Sequence, residues 1–136
     1  MSQGKIGVGI ITYKRPHFFK HCYNSIPWDK IDVAVVVNDG PEYNLEEEGV
    51  ELNDKTTWIQ HEKNMKLSKT KNDAINFLYE NDCEHIFIVE DDTLIEDVEV
   101  FNKYIAGSKA SGIKHLNYGP GSPFNREQDK GIRYDL

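Results

Sequence analysis

The apolar residues of this chain fall in short runs separated by segments of helical periodicity, and that alternation is what most narrows its possible folds. Lys5-Ile6-Gly7-Val8-Gly9-Ile10-Ile11-Thr12, Asp32-Val33-Ala34-Val35-Val36-Val37-Asn38 and His85-Ile86-Phe87-Ile88-Val89 each read as a strand covered on both faces, because Val, Ile and Phe follow one another instead of alternating with polar residues. A shorter strand is expected at Thr57-Trp58-Ile59-Gln60 and a last one at Ile113-Lys114-His115-Leu116-Asn117-Tyr118. Pro16 opens a helix that runs to about Ser25, since proline suits a first helical turn. Ser68 reads as the N-cap of a second helix, to about Asn81, with Ala74, Ile75, Phe77 and Leu78 as its apolar stripe. A third, about Asp97 to Lys109, turns Val98, Phe101, Ile105 and Tyr104 inward and closes at Ser111-Gly112. Strands alternating with helices imply right-handed crossovers and an α/β, three-layer arrangement around a mostly parallel sheet.

With 136 residues the chain has the length of a single domain. Hydrophobic residues make up 38% and charged residues 29%, both signs interspersed, which fits a globular protein and not wholesale disorder. The formal net charge of −7 argues against nonspecific binding to nucleic acid or an anionic membrane, so a phosphorylated ligand would need local help from a metal, a few lysines or backbone amides. No apolar run approaches the roughly 20 residues of a membrane span. Met1-Ser2-Gln3-Gly4-Lys5 lacks a basic region followed by a long apolar one, and a cytoplasmic location is expected. Cys22 and Cys83 show no CxxC spacing and read as reduced thiols near the core. His17 and His21 share a helix face at i, i+4 without an acidic partner on that helix, and are taken as ordinary surface residues.

Ligands of open parallel sheets bind outside the carboxyl ends of the strands. That rule gathers Thr12-Tyr13-Lys14-Arg15 after the first strand, Asn38-Asp39-Gly40 after the second and Glu90-Asp91-Asp92 after the fourth along one edge. Three consecutive carboxylates repel one another, and a divalent cation bound to phosphate oxygens is one means of making such a cluster favourable. The competing reading is an N-cap or a solvated turn at Asp91 or Asp92. Asp39-Gly40 also fits an ordinary turn, Lys71 a solvent-facing helix residue and Tyr13 a lid packed over the core edge. The joint arrangement favours a functional reading at Asp39, Asp91 and Asp92 and leaves both readings open at Lys71, Arg15 and Glu90.

The order Thr12-Tyr13-Lys14-Arg15-Pro16, Val35-Val36-Val37-Asn38-Asp39-Gly40, Asn64 with Lys71-Asn72-Asp73-Ala74-Ile75, and Ile88-Val89-Glu90-Asp91-Asp92 resembles the family 2 glycosyltransferases of GT-A fold over about the first hundred residues. The resemblance implies a Rossmann-like GT-A three-layer fold that binds a nucleotide-diphosphate sugar, most often UDP-linked, with Mn²⁺ or Mg²⁺, for transfer to the hydroxyl of a glycan or other acceptor. It implies that Thr12 and Tyr13 border the base and Asp39 accepts a hydrogen bond from it. Asp91 would hold the ribose hydroxyls, Asp92 would ligate the metal with Glu90 as a further contributor, and Arg15 or Lys71 would touch base or phosphates.

Two departures accompany it. The family's acceptor-binding half and its catalytic carboxylate come later than this sequence extends. A nucleotide-binding half, a partner chain that completes the acceptor site, and a noncatalytic nucleotide-sugar-binding or assembly module are all compatible with that. Glu127, Asp129 and Asp135 are the only late carboxylates, and the catalytic base is not assigned. Lys66 also stands where the family has glycine, which implies a differently shaped loop. A nucleotidyltransferase would carry a glycine-rich phosphate loop that Tyr13-Lys14-Arg15-Pro16 lacks, and a receiver domain would carry acids after its first strand, where Thr12-Tyr13 stand.

Overall fold

The computed structural model describes residues 4–113 in full and the backbone of two further short strands, 116–118 and 132–134. Its elements in chain order are β1 (Lys5–Thr12), α1 (Pro16–Ser25), a 3-10 turn at Trp28–Lys30, β2 (Val33–Asn38), α2 (Leu45–Glu48), β3 (Thr56–Gln60), α3 (Lys66–Glu80), β4 (Cys83–Glu90), α4 (Val100–Ser111), β5 (Leu116–Tyr118) and β6 (Ile132–Tyr134). Contacts divide the chain into two compact units, Met1–Val98 and Glu99–Leu136.

The first unit is α/β, with a four-stranded, all-parallel sheet in the order β3-β2-β1-β4. This is the expected parallel, Rossmann-like arrangement. Alternation along each strand sends Ile11, Val35, Val37 and Cys83 to the face covered by Ala74 and Leu78 of α3. The helix lies close because β1 presents Gly7 and Gly9 there. A Cβ at Gly7 would come within 2.6 Å of Cys83 Sγ, and one at Gly9 within 3.0 Å of Ala74 Cβ. On the opposite face, Phe19 of α1 is fully buried with its ring edge-on to Trp58 of β3 and tilted against Tyr23 and Tyr43. The apolar segments thus bury most of their area on both sides of the sheet's centre, the dominant favourable term in folding such a domain.

Several boundaries differ from the sequence expectation for physical reasons. β4 is an edge of this sheet, so His85 to Val89 are half-buried and not covered on both faces. Helix α3 begins at Lys66 with Met65 at its N-cap position, ahead of Ser68. Ile75 is 40% exposed, because burial on α3 follows the i, i+4 line Thr70, Ala74, Leu78. Val98 precedes α4 and is 57% exposed, not inward. Cys22 and Cys83 are buried and free, as expected.

In the second unit α4 buries Phe101 and Ile105 and ends on Gly112, whose φ of 77° is the left-handed cap that glycine accepts readily. Of the late strand expected from Ile113 to Tyr118, Leu116–Tyr118 is a strand that pairs antiparallel with β6 in a two-stranded sheet, and Lys114 and His115 lie outside the described residues. Glu127, Asp129, Asp135 and the Gly119 to Pro123 segment lie outside the described residues. Among the described residues no helix is long and apolar enough to cross a membrane.

Candidate functional site

Strand order sets the location. In the sequence β3-β2-β1-β4 the direction of succession reverses between β1 and β4, and a crevice opens at the carboxyl ends of strands at such a reversal. Thr12 ends β1 and Glu90 ends β4, and Asp91 N donates to Ile11 O to hold the two ends together.

Asp91 is 1% exposed and closely partnered. Its Oδ2 accepts from Thr12 Oγ1 at 2.9 Å and Tyr13 N at 3.3 Å, and its Oδ1 accepts from Arg15 Nη2. The single Thr12 hydroxyl proton goes to Asp91, so the 2.7 Å contact between Thr12 Oγ1 and Tyr43 must have the phenol as donor. Tyr43 in turn accepts from Arg15 N at 3.0 Å. A carboxylate with a guanidinium, a hydroxyl and an amide is a satisfied buried charge, and it fixes the loop after β1 against the end of β4. Arg15 also lies 4.0 Å from the exposed Asp92 and stacks over the Phe18 ring at 5.4 Å.

The end of β2 is built around Asp39, which is 6% exposed. At Gly40 a Cβ would meet the Tyr13 ring at 3.1 Å and Lys14 N at 3.3 Å, so any side chain there would push the two loops apart by a few tenths of an ångström. Asp39 Oδ1 accepts from Met65 N at 2.7 Å and Oδ2 from Lys66 N at 3.1 Å, which makes Asp39 the cap of α3 from a distant strand. His61 bridges Asp39 Oδ1 at 2.8 Å through Nδ1 and Asp73 Oδ2 at 2.7 Å through Nε2, and Lys69 holds the other oxygen of Asp73 at 2.6 Å. Burial alone would raise the Asp39 carboxyl, yet the Met65 amide, His61 and the Lys66 amide hold it below its ordinary value. Burial alone would lower the His61 imidazole, yet its two carboxylate partners carry it above the ordinary 6.5. Asp73 is held low, first by the Lys69 hydrogen bond and then by His61, against the opposing effect of its burial.

Two adjoining cavities open here. One, of about 250 Å³, is lined by Thr12, Tyr13, Arg15, Asp39, Lys66 and Asp91 among others; Glu90 also reaches it. The other, of about 510 Å³, is lined on one side by Tyr13, Lys14, Asp39 and Gly40 and on the other by Gln60 and His61. Of the sequence-predicted residues, Thr12, Tyr13, Arg15, Asp39, Glu90 and Asp91 therefore share one opening. Lys71 and Asp92 line neither; Lys71 faces Glu90 across 3.8 Å at the surface. Lys66 takes φ 73°, a left-handed backbone conformation that a glycine would enter freely.

Among the described residues no three His, Cys, Asp or Glu side chains are placed to hold a metal ion on their own. Asp92 and Glu90 are half or more exposed hard-oxygen donors beside the smaller cavity. Each faces a cation, Asp92 the Arg15 guanidinium at 4.0 Å and Glu90 the Lys71 ammonium at 3.8 Å, so they would hold a Mg²⁺- or Mn²⁺-like ion only with phosphate oxygens and water as its remaining ligands. Cys22 is fully buried, and burial, then Asp91 and Asp92, push its thiol up to about 12, away from the thiolate form.

Sequence reasoning missed His61, Asp73 and Tyr43. His61 was within reach, since it follows β3 at the same carboxyl edge that collects the other loops. Tyr43 carried no local signal. A scan against protein-family models and a search of curated proteins found no match to this chain.

Proposed function

We propose that this chain is the donor-binding part of a metal-dependent glycosyltransferase of GT-A type, taking a nucleoside-diphosphate sugar, UDP-linked, for transfer to an acceptor hydroxyl. The observation that carries the reading is the convergence of Thr12, Arg15, Asp39 and Asp91 on one opening at the β1/β4 reversal. In this reading Asp39 accepts an N–H from the base edge and the exposed Tyr13 ring gives the base an apolar face. Asp91, already the tether of Thr12 and Arg15, turns its remaining acceptor capacity to the ribose hydroxyls. Arg15 and Lys66 supply positive charge to the diphosphate in an otherwise acidic molecule. Asp92 and Glu90 would hold a Mn²⁺ or Mg²⁺ ion, which when bound would supply Lewis-acid neutralisation of the diphosphate charge. The acceptor site and catalytic base belong to residues outside the described part or to a second chain.

Thermal melting with UDP, GDP, CDP and ATP, each with and without Mn²⁺, tests the proposal. A ligand about a hundredfold above its dissociation constant stabilises by roughly 2.7 kcal/mol, a melting shift of several degrees. The largest shift is expected for UDP with Mn²⁺, and Asp92→Asn should remove the metal-dependent part. No shift with any nucleotide overturns the proposal, and an equal shift in Asp92→Asn removes Asp92 from the metal site. Binding of a nucleotide sugar without release of free nucleoside diphosphate identifies a noncatalytic module instead.

A further inference from the structure

The chain from Asp39 through His61 to Asp73 and Lys69 is unlike anything else at the strand ends, because every side chain in it is ionisable and each contact is 2.8 Å or shorter. An imidazole has one N–H when neutral and two when protonated. Here both nitrogens face carboxylate oxygens, so only the doubly protonated ring donates to both. The Asp39 carboxylate has about four acceptor positions, of which Met65 N, Lys66 N and His61 take three. One position remains, and Asp39 lines both cavities.

We infer that His61, backed by Asp73, is a positioning residue for Asp39: the imidazolium fixes the carboxylate so that its one remaining acceptor serves a single N–H of a bound base. This rests on the nucleotide-binding reading above. Loss of the second proton leaves a ring lone pair against either Asp39 or Asp73, which frees one carboxylate from its donor, and nucleotide affinity falls as pH rises. The groups facing the ring are Asp39 from the end of β2 and Asp73 from α3. Lys69 stands behind Asp73, and the exposed Glu62 and Lys63 follow His61 in its own loop. The two carboxylates set the direction, since each favours the charged ring.

The experiment is calorimetric titration of the full chain with UDP and Mn²⁺ across roughly pH 6.5 to 8.5, where imidazoles titrate. Wild type, Asp73→Asn, His61→Asn and His61→Leu are compared, so that the ligand's own titrations cancel. In wild type, affinity is expected to fall by about three- to tenfold with rising pH, the order of one ordinary net hydrogen bond. Asp73→Asn donates an amide N–H to Nε2 and pins the remaining proton on Nδ1 towards Asp39, so affinity should persist and the pH dependence vanish. His61→Asn keeps a donor near the Nδ1 position and should behave likewise, whereas His61→Leu should bind weakly at every pH. A wild-type profile that is flat, or that matches Asp73→Asn, overturns the inference and leaves the nucleotide reading standing. Absence of binding at any pH overturns both. Amide NMR signals of Met65 and Lys66 must also follow the His61 titration in wild type and not in Asp73→Asn; failure of that coupling overturns the positioning role whatever the ligand does.

Discussion

Lys66 holds a backbone conformation that disfavours any residue with a Cβ. At φ 73° such a residue pays about 1–2 kcal/mol relative to its ordinary region, whereas glycine enters at little steric cost but loses about 0.5–1 kcal/mol more chain entropy on folding. Lys66→Gly should therefore stabilise the fold by roughly 0.5–1 kcal/mol, read as a higher urea midpoint at unchanged slope. The same change deletes a cation from the smaller cavity and should weaken nucleoside-diphosphate binding severalfold. Opposite signs for stability and affinity mark a strained residue retained for its side chain, and a gain in stability with affinity untouched would show that the lysine does nothing for the ligand. At this scale the sequence was informative where chemistry is local. Asp39 and Asp91 stood out as acids at strand ends, and both line the opening. Asp92 stood out on the same ground and Lys71 only through the family resemblance, but neither lines a cavity, because side-chain direction in a turn or on a helix is set by packing that no local pattern records.

At the scale of elements, the bridge through His61 joins the end of β2, the loop after β3 and the first turns of α3, and its stability should depend on pH from both sides. Asp39 and Asp73 are held below the ordinary carboxylate value of 3.8, so their contribution is complete above 3.8 and is lost as pH falls through their folded values. His61 is held above 6.5, so its contribution is complete below 6.5 and is lost as pH rises through its folded value. Urea denaturation against pH should show a maximum between these two limits, and His61→Asn should flatten the alkaline flank while leaving the melt of the parallel sheet cooperative. An unchanged alkaline flank in that variant would detach His61 from folding stability. The same bridge explains why the start of α3 was misplaced. Ser68 has the right chemistry for a cap, but Asp39 caps Met65 N and Lys66 N from twenty-six and twenty-seven residues away. The strands were legible because Val, Ile and Phe leave few alternatives. The exposure of β4 was not, since an edge position depends on strand order and not on composition.

For the molecule as a whole, charge and topology pull in different directions. The order β3-β2-β1-β4 collects the polar loops at one crevice, where Arg15 and Lys66 offer positive charge, while the chain as a whole carries a formal −7. A free nucleoside diphosphate is itself anionic, so the distant field repels it even though the crevice attracts it at contact. Screening separates the two effects by distance, since the Debye length shrinks from about 30 Å at 0.01 M salt to about 10 Å at 0.1 M. Long-range repulsion is therefore removed first. Stopped-flow binding of a fluorescent nucleoside diphosphate should then show an association rate that rises with salt over this range when metal is absent. With Mn²⁺ on the diphosphate, two of its negative charges are neutralised before encounter, and the rate should depend on salt more weakly. If instead the metal-free rate falls as salt is added, the local cations govern approach as well as contact, and the net charge of the chain has no part in selecting the metal-loaded ligand.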